Sequence, residues 1–463
     1  METGECSAIT PAEWVLLSAS DGTRDLDGVL LAASREGVNA SRAALERLLG
    51  EVAGAGLIED GPLLPLRSRK GDAVLEPGPT ADREAHAARP IERLPGYAFT
   101  CDRKGRCCRT YATVVFSPRE AARARSLLPD VLDIGDRHEH GFTPERGSGP
   151  IPGSAVALVD GACAFLDGTL CSLHRASGPA SKPVGCNLFP LSLVDDGVRI
   201  RAGVTVECAC VLSSNDAATG DPLVGEAILR RADLDPTMSV EELPASVDVT
   251  PSQTVTLAEF VRWSDAILEA LAASAGDAPA KAWALADSLE RAGSAALDDS
   301  FARATLDAVS APSVDEALRH VRALGARATR LAAQNAWRSP RDLVRRGLTL
   351  VAAATEILQD RDVLAAVLEP ASERVAADEA FYLRAVLFGH QLVGPPIAGG
   401  LRDRGVAMWI ARVIPLAASL LGFDDEPGIE RPIAIVEALL RGYGLRLYVR
   451  SLGESPARTL GPA

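Results

Sequence analysis

The sequence predicts a mainly α, multidomain protein, and three observations lead there. At 463 residues the chain exceeds what one hydrophobic core organises, because cores stop growing near about 250–300 residues. Hydrophobic residues make up 47% and charged residues 24%, an ordinary globular balance. Aromatics are only 4%, and Ala, Leu, Arg and Val dominate, which favours helices packed through small side chains. Finally, the C-terminal half repeats apolar residues at helical spacing. The expected architecture is a winged-helix-like N-terminal module (residues 10–60), a linker (61–95), an irregular cysteine-rich domain with short hairpins (96–215) and an all-α C-terminal domain (250–452).

The formal charge is −14, which speaks against nucleic acid and anionic membranes as partners. METGECSAIT has no basic stretch followed by an apolar one, so no signal peptide is expected. The most membrane-like stretch, VAMWIARVIPLAASLLGF at 406–423, is interrupted by Arg412 and Pro415 and barely long enough to span; it reads as a buried helix. A cytoplasmic protein is expected. In that compartment disulfides are rare, and clustered cysteines bind metal or do redox chemistry.

Along the chain, Thr10-Pro11 pairs a capping residue with proline at the first helical position, and AEWVLLSAS continues the helix to the Asp21-Gly22 turn. LDGVLLAASREG reads as a second helix. NASRAALERLLGEVAGAG reads as a third, capped by Asn39 and ended by glycines. LIED, at 57–60, reads as a short strand. These elements make a winged-helix-like module, and DGTRDL…LL…LERLLGEVAGAGLIED resembles the small peptide-chaperone modules of the PqqD type. DNA binding is not expected of it, because Glu46 and Glu51 offset Arg42 and Arg47 on the third helix. The Pro-, Gly- and charge-rich stretch from residue 60 is a linker. Ser117-Pro118 starts a helix over REAARARSLLP, residues 135–155 read as loop, and LSLVDDGVRIR is a hairpin turning at Asp196-Gly197. From about 216 the pattern turns helical. Thr256 and Glu259 form a capping box before FVRWSDAILEALAAS. SVDEALRHVRALGARATRLAAQ, SPRDLVRRGLTLVAAATEILQ and DEAFYLRAVLFGHQLV follow with apolar residues at helical spacing.

Cys101, Cys107, Cys108, Cys163, Cys171, Cys186, Cys208 and Cys210 crowd into the cysteine-rich domain, leaving only Cys6 outside. Two hairpin registers are open for CAFLDGTLC. A two-residue Asp167-Gly168 loop puts Cys163 and Cys171 on opposite faces. A three-residue loop, Leu166-Asp167-Gly168, pairs Phe165 with Thr169 and sets Cys163 across from Cys171, with Cβ atoms roughly 4.5–5.5 Å apart. The second register is preferred, because it suits two thiolates converging on one metal, with His174 just beyond. If TVECACV is a strand, Cys208 and Cys210 share a face. The adjacent Cys107 and Cys108 either serve two sites or sit on a tight bend. Arg103, Lys104, Arg106 and Arg109 around them are expected to lower thiol pKa. The candidate metal ligands are these eight cysteines and His174. The centre is an iron–sulfur cluster, whose spacing varies by family, or Zn2+, although structural zinc sites mostly use C-x2–4-C pairs and the chain has no C-x2-C. Disulfides and unliganded core thiols are the competing readings.

FTCDRKGRCC followed by CAFLDGTLCSLHRASGPASKPVGCNLFPLSL resembles the YkgJ-type cysteine-cluster proteins, described as a zinc- or iron-chelating domain, in the style of the flagellin lysine-N-methylase branch. That branch runs F-x-C…C-C, then C-x-F-L…C-x-L/I-H, then K-P-x-x-C-x-x-F-P. The matching positions here are Cys101, Cys107, Cys108, Cys163, Phe165, Leu166, Cys171, His174, Lys182, Cys186, Phe189 and Pro190, within residues 97 to about 212. The resemblance implies a bound metal cluster. For the methylase branch it implies methyl transfer from S-adenosylmethionine to a lysine of a protein or peptide substrate. The leading expectation is a metal-cluster binding protein; the alternatives are a protein lysine N-methylase and a non-enzymatic adaptor stapled by metal.

No P-loop, dinucleotide fingerprint, HExxH or G-x-S-x-G is present. His138 and His140 flank Glu139 in what reads as a solvated loop. His320 and His390 read as satisfied helix histidines, and Trp263 and Trp409 as core. Arg341, Arg345 and Arg346 read as a solvated helix face. Phe189-Pro190 is expected to pack under the cluster and shield it from water.

Overall fold

The computed structural model describes residues 11–20, 26–35, 40–54, 86–110, 118–128, 161–217, 220–234, 240–274, 276–297, 299–336, 342–423 and 429–447, with a few positions between them. It is mainly helical with small sheets. Helices α1 (Pro11–Ala19), α2 (Leu26–Arg35) and α3 (Arg42–Gly54) open the chain. Strand β1 (Ile91–Arg93), the one-turn helix α4 (Cys107–Thr110) and α5 (Pro118–Leu127) follow. Four two-residue strands come next, β2 (Leu158–Val159), β3 (Ala162–Cys163), β4 (Leu166–Asp167) and β5 (Leu170–Cys171), then short helices α6 (Ser172–Ser177) and α7 (Val184–Leu188). Strands β6 (Leu191–Asp195) and β7 (Ile200–Val204) lead to helix α8 (Ala209–Ala217), and then to β8 (Glu241–Glu242), β9 (Ser246–Thr250) and β10 (Gln253–Thr256). The C-terminal helices are α9 (Leu257–Ala273), α10 (Ala278–Ala292), α11 (Asp299–Asp307), α12 (Val314–Gln334), α13 (Leu343–Ile357), α14 (Arg361–Leu368), α15 (Glu373–Phe388), α16 (Ile397–Leu421) and α17 (Pro432–Gly442).

The chain divides into two compact units, Met1–His86 with Phe116–Ala155, and Ala87–Val115 with Val156–Ala463. In the first, α1, α2 and α3 bury Leu16, Val29, Ala33, Leu45 and Leu48 against one another. Leu26, Val29, Leu30 and Ala33 recur on α2 at the spacing of one helical face. The third helix starts later than the sequence suggests: Ser41 Oγ, not Asn39, accepts from Ala44 N at 3.2 Å. Asn39 and the strand expected at 57–60 lie outside the described residues, as does 61–85 of the expected linker. Ile91–Arg93, at the end of that linker, is a strand instead.

In the second unit, the cysteine segment and the C-terminal helices are not separate domains. Leu94, Val204, Val206, Cys208, Cys210 and Leu212 pack into the same apolar cluster as Trp263, Trp283, Phe381 and Trp409. Part of the cysteine segment thus shares the core of the helices. A four-stranded sheet, ordered β1-β7-β6-β8, lies within this unit. β6 and β7 form the expected hairpin, pairing Asp195 with Ile200 and Leu191 with Val204, while β1 adds parallel to β7. Ile91, Leu193, Ile200, Ala202 and Val224 form a second, smaller core.

Residues 220–256, expected to be mostly helical, carry β8, the β9–β10 hairpin and a 3-10 turn at Arg231–Asp233. Pro222, Pro244 and Pro251 deny this stretch a continuous helix, and its β-branched runs pair instead. Beyond it the helices follow their sequence marks. Thr256 and Glu259 cap α9 reciprocally, and Ser313 and Glu316 do the same for α12. α16 is long and apolar enough to cross a membrane, but 67% of its apolar window is buried in the protein, as in a core helix. It continues through Pro415, while the neighbouring Arg412 is held by Glu379 at 2.8 Å and by the Val367 and Glu369 carbonyls.

Candidate functional site

The eight cysteines from 101 to 210 are all free thiols, and they are brought together in two neighbouring groups. The first forms at the head of α8. Cys208 immediately precedes that helix and Cys210 is its second residue, so both lie where helical N–H groups have no partner within the helix. The segment carrying Cys101 is pinned beside it. Tyr97 Oη donates to Val211 O at 3.1 Å, Phe99 and Asp221 form a bridge, and Thr100 N donates to Ser214 Oγ at 2.9 Å. Ser214 in turn donates to Thr100 O and Cys210 O. As a result the ligand atoms of Cys101, Asp102 and Cys210 lie within 4.8 Å of one another. Cys210 Sγ donates to Asp102 Oδ1 at 3.0 Å, and Cys208 sits two residues before it, just ahead of the helix.

The second group comes from α4, the two small hairpins and α7. Cys107 and Cys108 sit on one helical turn with sulfurs 3.9 Å apart, neither in a strand nor at a bend. Cys163 ends β3 and interacts electrostatically with Cys171, Cys186 and Cys107. Cys186 lies on α7, which starts after Pro183. No three of Cys107, Cys108, Cys163, Cys171 and Cys186 converge as tightly as the first group.

Cys163 and Cys171 meet by a different route from the expected register. β4 and β5 pair Leu166 with Cys171 and Asp167 with Leu170, leaving Gly168-Thr169 as a two-residue loop. Gly168 has φ +63° and Thr169 a negative φ, the pattern of a turn with glycine first. Cys163 faces Leu158 in a separate hairpin and is near enough to Cys171 to interact with it electrostatically. The expected TVECACV strand is absent: β7 ends at Val204 and a turn leads into α8. Cys208 and Cys210 converge through the helix start instead.

The surrounding cations do not lower the thiol pKa values as expected. The hydrogen bond to Cys210 and partial withdrawal from water push Cys101 up. The Cys108 hydrogen bond, burial and neighbouring thiols push Cys107 up against a small opposing effect of Lys182. Burial raises Cys163 to about 12. At Cys210 the bond from Cys101 lowers the pKa, but the Cys208 bond and burial outweigh it. Cys101, Cys107, Cys163 and Cys210 thus resist ionising where they stand, a cost that a bound cation offsets. Of the expected cations, Lys104 pairs with Glu430 at 2.8 Å and lies 3.7 Å from Asp102.

His174 is exposed on α6 and is not among the converging ligand atoms. Phe189 is partly buried against the large core, and Pro190 is buried. Asp102 is the residue that reading the sequence for cysteines missed; its position directly after Cys101 was its only mark. His138, Glu139, His140 and Arg341 lie outside the described residues. Arg345 donates to Arg338 O at 2.7 Å, and Arg346 lies over the Phe423 ring. His390 is buried beside Asp196 at 3.4 Å.

A cavity of about 370 Å³ opens between α15, α16 and α17, lined in part by Asp378, Glu379, Arg412, Glu430 and Ile433. Its carboxylates are committed: Asp378 to Arg431, Glu379 to Arg412 and Glu430 to Lys104. Through Lys104 and Asp102 its edge adjoins the first thiol group. In comparison with known proteins, the chain matches no family model, no curated protein and no solved structure.

Proposed function

We propose that this chain is a metal–thiolate protein whose cysteines between 101 and 210 hold an iron–sulfur cluster or Zn2+. One observation carries the reading: free thiols from five separated segments gather at neighbouring points of one unit, although only Cys208 and Cys210 belong to its apolar core. The donor chemistry fits. Thiolates are the preferred ligands of iron–sulfur clusters and of zinc, and the burial and thiol contacts that keep Cys101, Cys107, Cys163 and Cys210 protonated are what a cation would offset. When bound, the metal would supply a fixed cross-link between the small hairpins, α4 and α7 and the core-packed head of α8. Eight free thiols also suit a reducing compartment such as the cytoplasm. Lysine methylation would in addition need sites for S-adenosylmethionine and a protein substrate, for which only the sequence resemblance speaks. The −14 charge keeps nucleic acid and membranes outside the reading.

The test is anaerobic purification with metal and sulfide analysis and a visible spectrum. Stoichiometric iron with sulfide, or stoichiometric zinc, is the expected result. A metal-free chain with all thiols titrating freely would sink the reading. In Cys186→Ser the metal content should fall while the C-terminal helices stay folded.

A further inference from the structure

The two thiol groups differ in donor type and in spacing. At the head of α8 a carboxylate joins the thiols, and Cys101, Asp102 and Cys210 hold their donor atoms within 4.8 Å, with Cys208 two residues before Cys210 where the helix begins. Four donors around a single zinc ion stand about 3.8 Å apart, given metal–sulfur bonds of about 2.3 Å in a tetrahedron. Cys101, Asp102 and Cys210 are therefore already near the size of a one-ion site; Cys208, which immediately precedes α8, lies outside that 4.8 Å set and has to move in to complete it. The second group, Cys107, Cys108, Cys163, Cys171 and Cys186, is pure thiol, and no three of its sulfurs lie within 4.8 Å of one another, as suits a centre that spreads its ligands over several metal and sulfide atoms.

We propose that Cys101, Asp102, Cys208 and Cys210 form a separate mononuclear site for a divalent ion of the zinc class, with the Asp102 carboxylate as its non-sulfur ligand. This rests on the metal–thiolate reading above and divides it into two centres. Second contacts support the assignment. The Asp102 carboxylate is oriented from both sides: Lys104 N donates to Oδ1 at 3.0 Å, and Lys104 Nζ lies 3.7 Å from Oδ2. Lys104 is itself anchored by Glu430 at 2.8 Å. Arg103 N points at Cys101 Sγ from 3.4 Å, a donor that a thiolate accepts readily. Three thiolates and a carboxylate leave a divalent ion with an excess of negative charge. The positive end of the α8 dipole and the Lys104 ammonium offset that excess. A carboxylate is also the most exchangeable of the four donors, and the 370 Å³ cavity beyond Glu430 lies on its side.

The test uses the full chain, stripped of metal and titrated anaerobically with Co2+ and with Zn2+. It follows bound equivalents and the thiolate-to-cobalt charge-transfer absorption. Cys186→Ser should keep one tightly bound Co2+ with that absorption. Asp102→Asn, a shape-conserving change at an exposed position, should weaken this equivalent at least about 100-fold. Lys104→Gln should weaken it by about 10–100-fold, the range for outer-shell partners. Circular dichroism confirms that each variant is folded, and Asp102→Glu, which restores a carboxylate, should recover part of the affinity. If Cys186→Ser loses every equivalent while folded, the thiols form one joint centre and the division falls, though the metal–thiolate reading stands. An unchanged Co2+ affinity in Asp102→Asn removes Asp102 as a ligand. A wild-type chain that binds neither ion nor an iron–sulfur cluster removes both readings.

Discussion

At the scale of single residues, backbone conformation decides which thiols meet. Gly105 holds φ +69°, and a Cβ there would lie 2.9 Å from Leu166 Cδ1. Arg103, two residues earlier, is also at positive φ, so the chain between Cys101 and Cys107 is tightly coiled. Gly105→Ala should cost about 1–2 kcal/mol from backbone strain plus the contact with Leu166, and should displace Cys107. Gly168 has a similar φ but open space around its Cα, so Gly168→Ala should show the strain alone. Thermal unfolding with metal counts for both variants checks this: equal losses would mean that the Leu166 contact does not matter. His390 offers a second test. It is buried, with Asp196, Arg201 and Asp265 around it, and burial lowers its pKa despite the Asp196 hydrogen bond. The unfolded chain therefore takes up a proton below about pH 6.5 that the folded chain refuses. This contribution is present above that pH and is lost on acidification, at up to about 1.4 kcal/mol per pH unit. Asp196 is also pushed down, its hydrogen bonds outweighing its burial, so its own contribution survives until far lower pH. Denaturation midpoints between about pH 7.5 and 5.5 should fall in the wild type and flatten in His390→Asn, which tolerates the positive φ of 48° at this position. Parallel slopes would clear His390.

At the scale of elements, buried charge ties the C-terminal helices together. Arg404 on α16 donates to Glu437 on α17 at 3.0 Å, both almost fully buried, and Tyr382 on α15 donates to the other Glu437 oxygen. Arg404 also reaches the carbonyls of Gly400 and Gln391. Glu437→Gln keeps the shape but leaves the guanidinium without its counter-charge, a loss of about 3–5 kcal/mol for a buried pair. Chemical denaturation measures it; a loss below about 1 kcal/mol would mean that water reaches the pair. The helices themselves were legible from caps and apolar spacing, as at Thr256, Glu259, Ser313 and Glu316. The β9–β10 hairpin was not, because Thr250, Val255 and Thr256 carry strand character in only a few residues beside a long helical run, too few for periodicity to show.

At the scale of the whole molecule, the cysteine segment and the C-terminal helices share one core, yet the small hairpins and α4 hold few large apolar side chains. If the proposed metal is bound, removing it should therefore loosen the segment around 101–190 while α9 to α17 persist. Hydrogen exchange before and after chelation should show protection lost in that segment alone. Protection unchanged throughout would mean that the thiols play no structural part. Concerted loss in the helices as well would mean that the metal staples the shared core.

The sequence by itself determined the helical character of the C-terminal half, the β6–β7 hairpin and the identity of the thiols, because caps, turn residues and residue types are local properties of the chain. Only the tertiary structure decided that residues 91–93 form a strand, that Cys163 reaches Cys171 from a separate hairpin, that Asp102 joins Cys101 and Cys210, and that His174 stays outside. Those outcomes depend on long-range pairing and on a shared core. Local spacing does not encode which of several registers or turns buries the most apolar surface once the helices are in place.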